Sequence, residues 1–196
     1  MLQSVNIPYP FKLETQRLLL TSPSEVDAMQ VMEAVNESLE ELQPWMPWAD
    51  HAYTEEETIE NCREAEAKFI DGSDHRLHVF LKDSLTYIGG TGLHRGDPSV
   101  PSVEIGYWVR TPLAGNGYVT EVVANLTRYA LSELGVKRVE IRMSTDNERS
   151  RRIPERLGFH LDGILRHDSR HEDGTLRDTC VYSVIDTDPN ELINKY

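Results

Sequence analysis

The chain has 196 residues, of which 39% are hydrophobic and 27% charged, a balance typical of a globular protein that buries a core. The formal net charge of −13 argues against a nucleic-acid partner, because such proteins normally carry a basic face. No run approaches the roughly 18 apolar residues that cross a bilayer, so no membrane partner is expected. We predict a single domain over residues 1–196 in a cytoplasmic protein, with Cys62 and Cys180 as reduced thiols.

The N-terminal part begins with an apolar run at residues 13–21 that predicts one strand. A helix is predicted to follow, capped by Ser22 or Ser24. Prolines end this helix in a loop that holds Trp45 and Trp48. Tryptophans are costly to expose, so these two are expected either to close a core or to line a pocket.

A second helix is predicted from Thr54 to about Phe69, because Thr54 and Glu57 have the spacing of a capping box. Helical patterns also follow Gly117 and include Ile153. The remaining strand-like runs are residues 77–81, 87–93, 103–109, 136–144, 161–166 and 179–184. This order of elements predicts a mixed α/β domain whose strands are mostly antiparallel.

Two glycines, Gly115 and Gly117, lie between the strand at 103–109 and an amphipathic helix. Backbone N–H groups and the positive end of a helix dipole can hold a phosphate at such a junction. The alternative is a glycine-rich turn that binds nothing. A Rossmann dinucleotide site is disfavoured because the third glycine position is Thr120, and no Gly-Lys-Ser/Thr follows to make a P-loop.

Three segments in order, EIGYWV, GNGYVTE and DNERSRRIPERLGF, resemble the GNAT-fold acetyltransferases. The likeness is greatest to the Rim-type subgroup, whose founding members acetylate the N-termini of ribosomal proteins. It covers nearly the whole chain, including the LEELQPWMPWAD segment. The resemblance implies an α/β fold with a mostly antiparallel sheet of about seven strands, splayed at the cofactor site, and helices on both faces. It also implies acetyl-CoA as co-substrate, no metal, and a homodimer.

The resemblance implies that acetyl-CoA lies in a V-shaped opening between the strand at 103–109 and the strand at 140–144. Its pantetheine arm would pair with the splayed strand edge, and its pyrophosphate would accept N–H groups from residues 114–120. One departure is Pro112, where the family usually has Gln or Arg, so a side-chain contact is lost while backbone donors remain. The implied cofactor-binding residues are Tyr107, Trp108, Val109, Ala114, Gly115, Asn116, Gly117, Tyr118, Val119, Thr120 and Asn147.

The acceptor is expected to be an amine. The fraction of an amine that is neutral at pH 7 helps to decide which kind of amine it is. An α-amino group with a pKa of about 7.7–8.0 is neutral roughly a tenth of the time or more at pH 7, but a lysine only about one part in a few thousand. A weak base therefore suffices for a protein N-terminus. Alternatives are a small amine (an antibiotic or polyamine), which the acidic charge favours, and a non-catalytic acyl-CoA-binding module. The acceptor pocket is expected to include Trp45, Trp48 and His94, together with the loop at 166–177.

Two carboxylates are candidates for the general base. Glu104 occupies a strand position where many GNAT enzymes have a glutamate, although it could simply face solvent. Asp168 falls close to the position of a carboxylate in Rim-type enzymes. A one-residue length difference in this region means that Ser169 and Glu172 fit that position as well.

The general acid is inferred from the resemblance by its spacing from Asn147. Many members of the wider family use a tyrosine seven residues later, which here is Pro154 and cannot donate a proton. The Rim-type subgroup uses a serine three residues later, which here is Ser150. The other role considered for Ser150 is helix N-cap, which would put Pro154 about four residues into the helix, where a missing N–H costs little.

Overall fold

The computed structural model of the chain describes residues 7–95, 99–171, 174–188 and 193–196. Within these ranges the strands are β1 (Lys12–Glu14), β2 (Leu18–Thr21), β3 (His75–Leu81), β4 (Tyr87–Arg95), β5 (Ser102–Val109), β6 (Arg138–Ser144), β7 (His160–Arg170) and β8 (Leu176–Ile185). The helices are α1 (Ala28–Glu37), α2 (Leu39–Leu42), α3 (Glu55–Asp71), α4 (Tyr118–Ser132) and α5 (Glu148–Arg156), with 3₁₀ turns at Glu25–Asp27, Thr111–Leu113 and Ile193–Lys195.

The strands form one sheet in the order β1-β2-β3-β4-β5-β6-β8-β7. Every neighbouring pair is antiparallel except β5 and β6, which are parallel. The expected mostly antiparallel α/β sheet is therefore confirmed, with eight strands in the described residues where about seven were predicted.

The prediction of one strand over residues 13–21 is wrong, and this accounts for the extra strand. The chain turns back after Glu14, so that β1 pairs with β2 as a hairpin. The turn is closed by the Thr15 N–H, which donates to the Leu18 carbonyl at 2.9 Å, and by the Leu18 N–H, which donates to Thr15 Oγ1 at 2.9 Å. A side-chain hydroxyl thus makes a turn that contains neither glycine nor proline.

The predicted helix starts are confirmed for the first two helical segments. Ser24, one of the two candidates, accepts the N–H of Val26 at the 3₁₀ turn before α1. Thr54 and Glu57 form the full capping box of α3, and Gly72 ends that helix in the left-handed conformation, with φ 76°. These local hydrogen bonds satisfy N–H and C=O groups that a helix end leaves unpaired.

The assignment of Ser150 as a possible N-cap is wrong, because Asn147 caps α5 and its side chain accepts the Ser150 N–H at 3.1 Å. Pro154 is consequently the seventh residue of α5 and not about the fourth. At this depth a proline removes one helical hydrogen bond, so the carbonyl of Ser150 lacks its usual donor four residues later. Another group must satisfy that carbonyl.

The hydrophobic core lies against one face of the central strands. There α4 contacts β5 and β6, while α1 and α3 contact β4 and β3 and border the opposite face, so the helices cover both faces as expected. Each fully buried aliphatic side chain stabilises the fold by roughly 1.5–3 kcal/mol. The buried residues of this contact are Val103, Ile105, Val122, Val123, Leu126, Ala130, Val139 and Ile141.

Strands β5 and β6 diverge after a short contact. They pair only over Ser102–Glu104 and Arg138–Glu140, although β5 continues to Val109 and β6 to Ser144. Backbone groups that face this gap have no partner in the neighbouring strand, and such groups are strong hydrogen-bonding partners for a ligand. The expected splay of the sheet is therefore present.

Candidate active site

The glycine turn leads directly into α4. Gly115 and Gly117 both have positive φ, 81° and 78°, a conformation that favours glycine. Gly117 is the N-cap of α4, and the first helical bond runs from the Glu121 N–H to the Gly117 carbonyl at 3.1 Å. Among the described residues no side chain caps this end. The first N–H groups of α4 thus remain available to an anion.

Pro112 fits this turn without distortion. It is the second residue of the 3₁₀ turn Thr111–Leu113, a position where no N–H is required. The turn is held by the N–H of Leu113, which donates to Arg110 at 2.9 Å, and by the N–H of Ala114, which donates to Thr111 at 3.0 Å. Replacement of the usual polar side chain therefore leaves the backbone of the turn intact.

Arg17 is a residue of this turn that sequence reasoning missed. Its guanidinium donates to the Asn116 carbonyl at 3.0 Å and to Glu121 at 2.7 Å, and it lies over the Tyr118 ring at 4.6 Å. Burial opposes ionisation of Glu121, but hydrogen bonds from Thr15 and Arg17 hold its pKa below the usual range. The only signal in the sequence was a charge that interrupts an apolar run.

Tyr107 and Ser150 meet across the gap between β5 and α5. The Tyr107 hydroxyl lies 3.1 Å from Ser150 Oγ and donates to the Ser150 carbonyl at 3.1 Å. That carbonyl is the one that Pro154 leaves without a helical donor. Burial raises the pKa of Tyr107, so its hydroxyl keeps its proton near neutral pH.

The opposite face of the sheet holds a cavity of about 510 Å³ between the central strands and the helices α1 and α3. The sheet side of this cavity includes the glycines Gly90 and Gly106. A Cβ on Gly90 would lie 2.7 Å from the Trp108 ring nitrogen, and a Cβ on Gly92 would lie 2.8 Å from the His94 ring. The glycines therefore let both rings lie flat against the sheet. Polar and aromatic side chains that line the cavity include Trp48, Tyr53, Arg76, His94, Glu104 and Trp108.

Glu104 lies at the mouth of the gap. It is the last β5 residue in register with β6, and it is directly opposite His94 on β4. Burial raises the pKa of Glu104, and the Arg142 guanidinium and the His94 ring only partly offset this effect. A carboxylate whose pKa is raised is a stronger base than an exposed one.

The alternative bases lie elsewhere. Asp168 is exposed on β7 and pairs with Arg142 Nη2 at 2.8 Å, and it does not line the cavity. Ser169 accepts the Arg177 guanidinium at 3.0 Å. Glu172 lies outside the described residues.

The two tryptophans of the early loop differ in position. Trp48 lines the cavity with its ring 5.8 Å from that of Trp108, whereas Trp45 is half-buried and does not line it. Of the expected acceptor loop at 166–177, no described residue lines the cavity either. Most of these residues are not a loop but the end of β7 and the start of β8. Arg177 of β8 donates to the Pro44 carbonyl at 2.9 Å and so contacts the tryptophan loop.

In the part of the chain that the structure describes, no group of three or more His, Cys, Asp or Glu side chains could hold a metal ion. No helix of those same residues is long and apolar enough to span a bilayer.

Comparison with known proteins defines the class. Residues 17–160 match the acetyltransferase (GNAT) domain family, and the chain belongs to this family. It is an acetyl-CoA-dependent N-acetyltransferase, so the non-catalytic alternative is not carried further.

Individual relatives confirm the resemblance to the Rim-type subgroup. YdaF of Bacillus subtilis (strain 168), named as a candidate ribosomal N-acetyltransferase, is 32% identical over 162 residues, which cover 81% of this chain and 86% of YdaF. The ribosomal-protein-serine acetyltransferase of Escherichia coli (strain K12) is 26% identical over 125 residues, which cover 64% of this chain and 69% of that protein. The fold is similar to that of RimL, the ribosomal L7/L12 α-N-protein acetyltransferase, solved with coenzyme A, at a TM-score of 0.82 and 19% identity, over 91% of this chain and 100% of that one.

Proposed function

We propose that this enzyme acetylates the α-amino group at the N-terminus of a protein, such as a ribosomal protein, with Glu104 as general base and Ser150 as general acid. The observation that carries the proposal is the divergence of β5 and β6. Glu104 faces the cavity on one side of β5, and the Tyr107–Ser150 contact lies on the other side. An amine and a thioester that meet in the gap would lie between a base and an acid.

The cofactor-binding part of the proposal rests on the glycine turn. The uncapped N–H groups at the start of α4 suit a pyrophosphate, and Arg17 supplies a cation beside them in a chain whose net charge is −13. Asn147 and the unpaired edges of β5 and β6 are proposed to hydrogen-bond the pantetheine amides. The proposed contacts on β5 are the backbone groups of Tyr107, Trp108 and Val109.

Bound acetyl-CoA supplies the thioester whose carbonyl carbon the amine attacks. Glu104 accepts a proton from the ammonium form of the acceptor, and its raised pKa makes it a stronger base for this task than an exposed glutamate. Ser150 Oγ gives its proton to the departing sulfur and regains one from the attacking nitrogen, which loses its second proton as the amide forms. The Tyr107 hydroxyl, 3.1 Å from Oγ, would turn its single proton from the Ser150 carbonyl to Oγ while that oxygen is negatively charged.

The choice of a protein N-terminus rests on base strength and on the relatives. A single carboxylate suffices for a group that is already neutral roughly a tenth of the time at pH 7. The names of YdaF and of the Escherichia coli relative both refer to ribosomal acceptors. For this chain these names support the proposal by analogy.

A small cationic amine is the second candidate, because the cavity of about 510 Å³ has the volume of a small-molecule site. Glu104 lines this cavity, and two further carboxylates, Asp27 and Asp74, lie behind its histidines. Arg76, which also lines the cavity, offsets one of these three negative charges, and the remaining negative charge would favour an ammonium group.

The test measures thiol release from acetyl-CoA with synthetic peptides that begin with serine, alanine or methionine, and with spermidine and an aminoglycoside. Matched peptides with a blocked N-terminus and an internal lysine serve as controls. Activity on free N-termini alone supports the proposal, and activity on spermidine or the aminoglycoside alone supports the second candidate. Mass spectrometry of the proteome with and without the protein then identifies the acceptor.

A further inference from the structure

A carboxylate–imidazole pair lies beside Glu104. Asp74, just before β3, is 2.6 Å from Nδ1 of His94 on β4. Burial opposes ionisation of Asp74, but the hydrogen bond from His94 outweighs it, and the pKa of Asp74 lies below its usual value. An ionised carboxylate can only accept a hydrogen bond, so Nδ1 carries the proton. In the neutral ring the lone pair is consequently on Nε2.

His94 lines the cavity, and its Nε2 lies against the sheet. A Cβ built on Gly92 would lie 2.8 Å from this atom, and one on Gly106 would lie 3.1 Å from it. The ring therefore extends across β4 and β5, with Nε2 over the Gly92–Gly106 pair, two register pairs along from Glu104. Glu104 is the direct register partner of His94. The Cβ atoms of such cross-strand partners are about 4.5–5.5 Å apart, within reach of a direct or water-bridged hydrogen bond.

Glu104 needs a route by which its proton can leave. It is half-buried in the gap, and a base that has accepted a proton must lose it before the next turnover. His94 has 37% of its side-chain surface exposed, so its ring borders both the cavity and solvent. The ring thus links the position of the base to bulk water.

We infer that the Asp74–His94 pair is the proton exit of this site, with His94 as the carrier and Asp74 as its positioning residue. The inference rests on the proposed role of Glu104. An ammonium N–H bond breaks as an O–H bond forms on Glu104. That O–H bond then breaks as an N–H bond forms on Nε2, and the imidazolium gives this proton to water. Asp74 keeps Nδ1 protonated and stabilises the transient cation.

The surroundings of the pair are consistent with this role. Arg76 lies 3.8 Å from Asp74 and donates to Asn61, so it leaves the short Asp74–His94 contact intact. On the other side, Glu104 has Arg142 and Glu140 of β6 as its charged neighbours.

The same cavity holds a second pair that serves as a control. Asp27 lies 2.8 Å from Nδ1 of His78 on β3. His78 is buried and packs edge-on against Tyr87, with ring centroids 5.3 Å apart. Its register partner on β4 is Gly90, which has no carboxylate. The chain therefore offers two similar pairs, of which one adjoins the proposed base.

The first measurement needs no acceptor. Nitrogen-15 spectra of the histidine rings are recorded for the wild-type enzyme, Asp74→Asn and Asp27→Asn. We expect the neutral His94 ring of the wild type to carry its proton on Nδ1, Asp74→Asn to give a mixture of tautomers, and Asp27→Asn to leave His94 unchanged. A wild-type His94 protonated on Nε2 overturns the inference, even if the enzyme acetylates no peptide at all.

The second measurement uses the most active peptide of the acceptor panel. His94→Ala is expected to lower kcat about tenfold. Added imidazole is expected to raise the kcat of this variant several-fold, because imidazole can occupy the space that the His94 ring leaves. Asp74→Asn should lower kcat about fivefold while the KM for acetyl-CoA changes less than about twofold. Imidazole should not stimulate Asp27→Asn. If imidazole fails to restore His94→Ala, or stimulates Asp27→Asn equally, His94 is not the proton exit.

Discussion

The two faces of β5 differ in chemistry although they belong to one strand. Val103 and Ile105 are buried against α4, and Tyr107 continues the same face to reach Ser150. Glu104 and Trp108 lie on the other face, where they line the cavity beside α1 and α3, and Tyr107 borders this cavity as well. Because side chains of a strand alternate between faces, neighbouring residues can serve different sites. Because of this alternation, the proposed base Glu104 lies on one face of β5, and Tyr107, which contacts the proposed acid Ser150, lies on the other.

The largest expected effect comes from Glu104→Gln on the cavity face. We expect kcat to fall about 10²–10³-fold, the range for loss of a general base, with little change in the KM for acetyl-CoA. The wild-type rate should fall as the pH drops through the raised pKa of Glu104, above the usual value of about 4.3, and the variant should lack this limb. The measurement is kcat against pH.

Glu140→Gln is the matched control for that change. Glu140 is directly opposite Glu104 on β6 but pairs with Arg138. Its replacement should keep the acidic limb but move it slightly to lower pH, because the charge of Glu140 contributes to the raised pKa of Glu104. If Glu104→Gln keeps the wild-type kcat and the acidic limb of its pH profile, the cavity face of β5 does not supply the base.

Ser150→Ala tests the other face. We expect kcat to fall about 10²-fold, because the departing sulfur loses its proton donor, while the acetyl-CoA KM changes less than about twofold. Ser132→Ala, an exposed position at the end of α4, is the control. The measurement is steady-state kinetics at saturating acceptor. An unchanged kcat for Ser150→Ala would show that Ser150 is not the general acid.

A smaller loss is expected for Tyr107→Phe, about fivefold to tenfold in kcat, the equivalent of one hydrogen bond. The change also leaves the Ser150 carbonyl without a donor, because Pro154 cannot supply one. In a Tyr107→Phe/Ser150→Ala double variant the two losses should not multiply, since the phenol acts through the serine. Multiplicative losses in the cycle would mean that the two residues act independently.

The smallest effect is expected for Asp168→Asn, within about twofold of the wild-type kcat, because an exposed ion pair contributes little. Its partner Arg142 also lies beside Glu104, so the remaining change should be a small shift of the acidic limb. If kcat instead falls as much as it does in Glu104→Gln, Asp168 is the base, and the cavity face of β5 does not supply it.

The sequence by itself determined the features that depend on neighbours along the chain. The capping box at Thr54 and Glu57 and the glycine turn at Gly115 and Gly117 use hydrogen bonds or φ angles within a few residues. The alternation of β5 likewise follows from period two. Local rules decide such features, because no distant contact competes with them.

Only the tertiary structure decided which distant residues meet. The Arg17–Glu121 pair spans 104 residues and the Asp74–His94 pair spans 20, and the chain pattern marked neither Arg17 nor Asp74 as part of a site. The split of the first strand depended on a threonine hydroxyl in a sequence that reads as continuous strand. These contacts are formed when the sheet brings separate segments together, so their energies cannot be inferred from the order of residues alone.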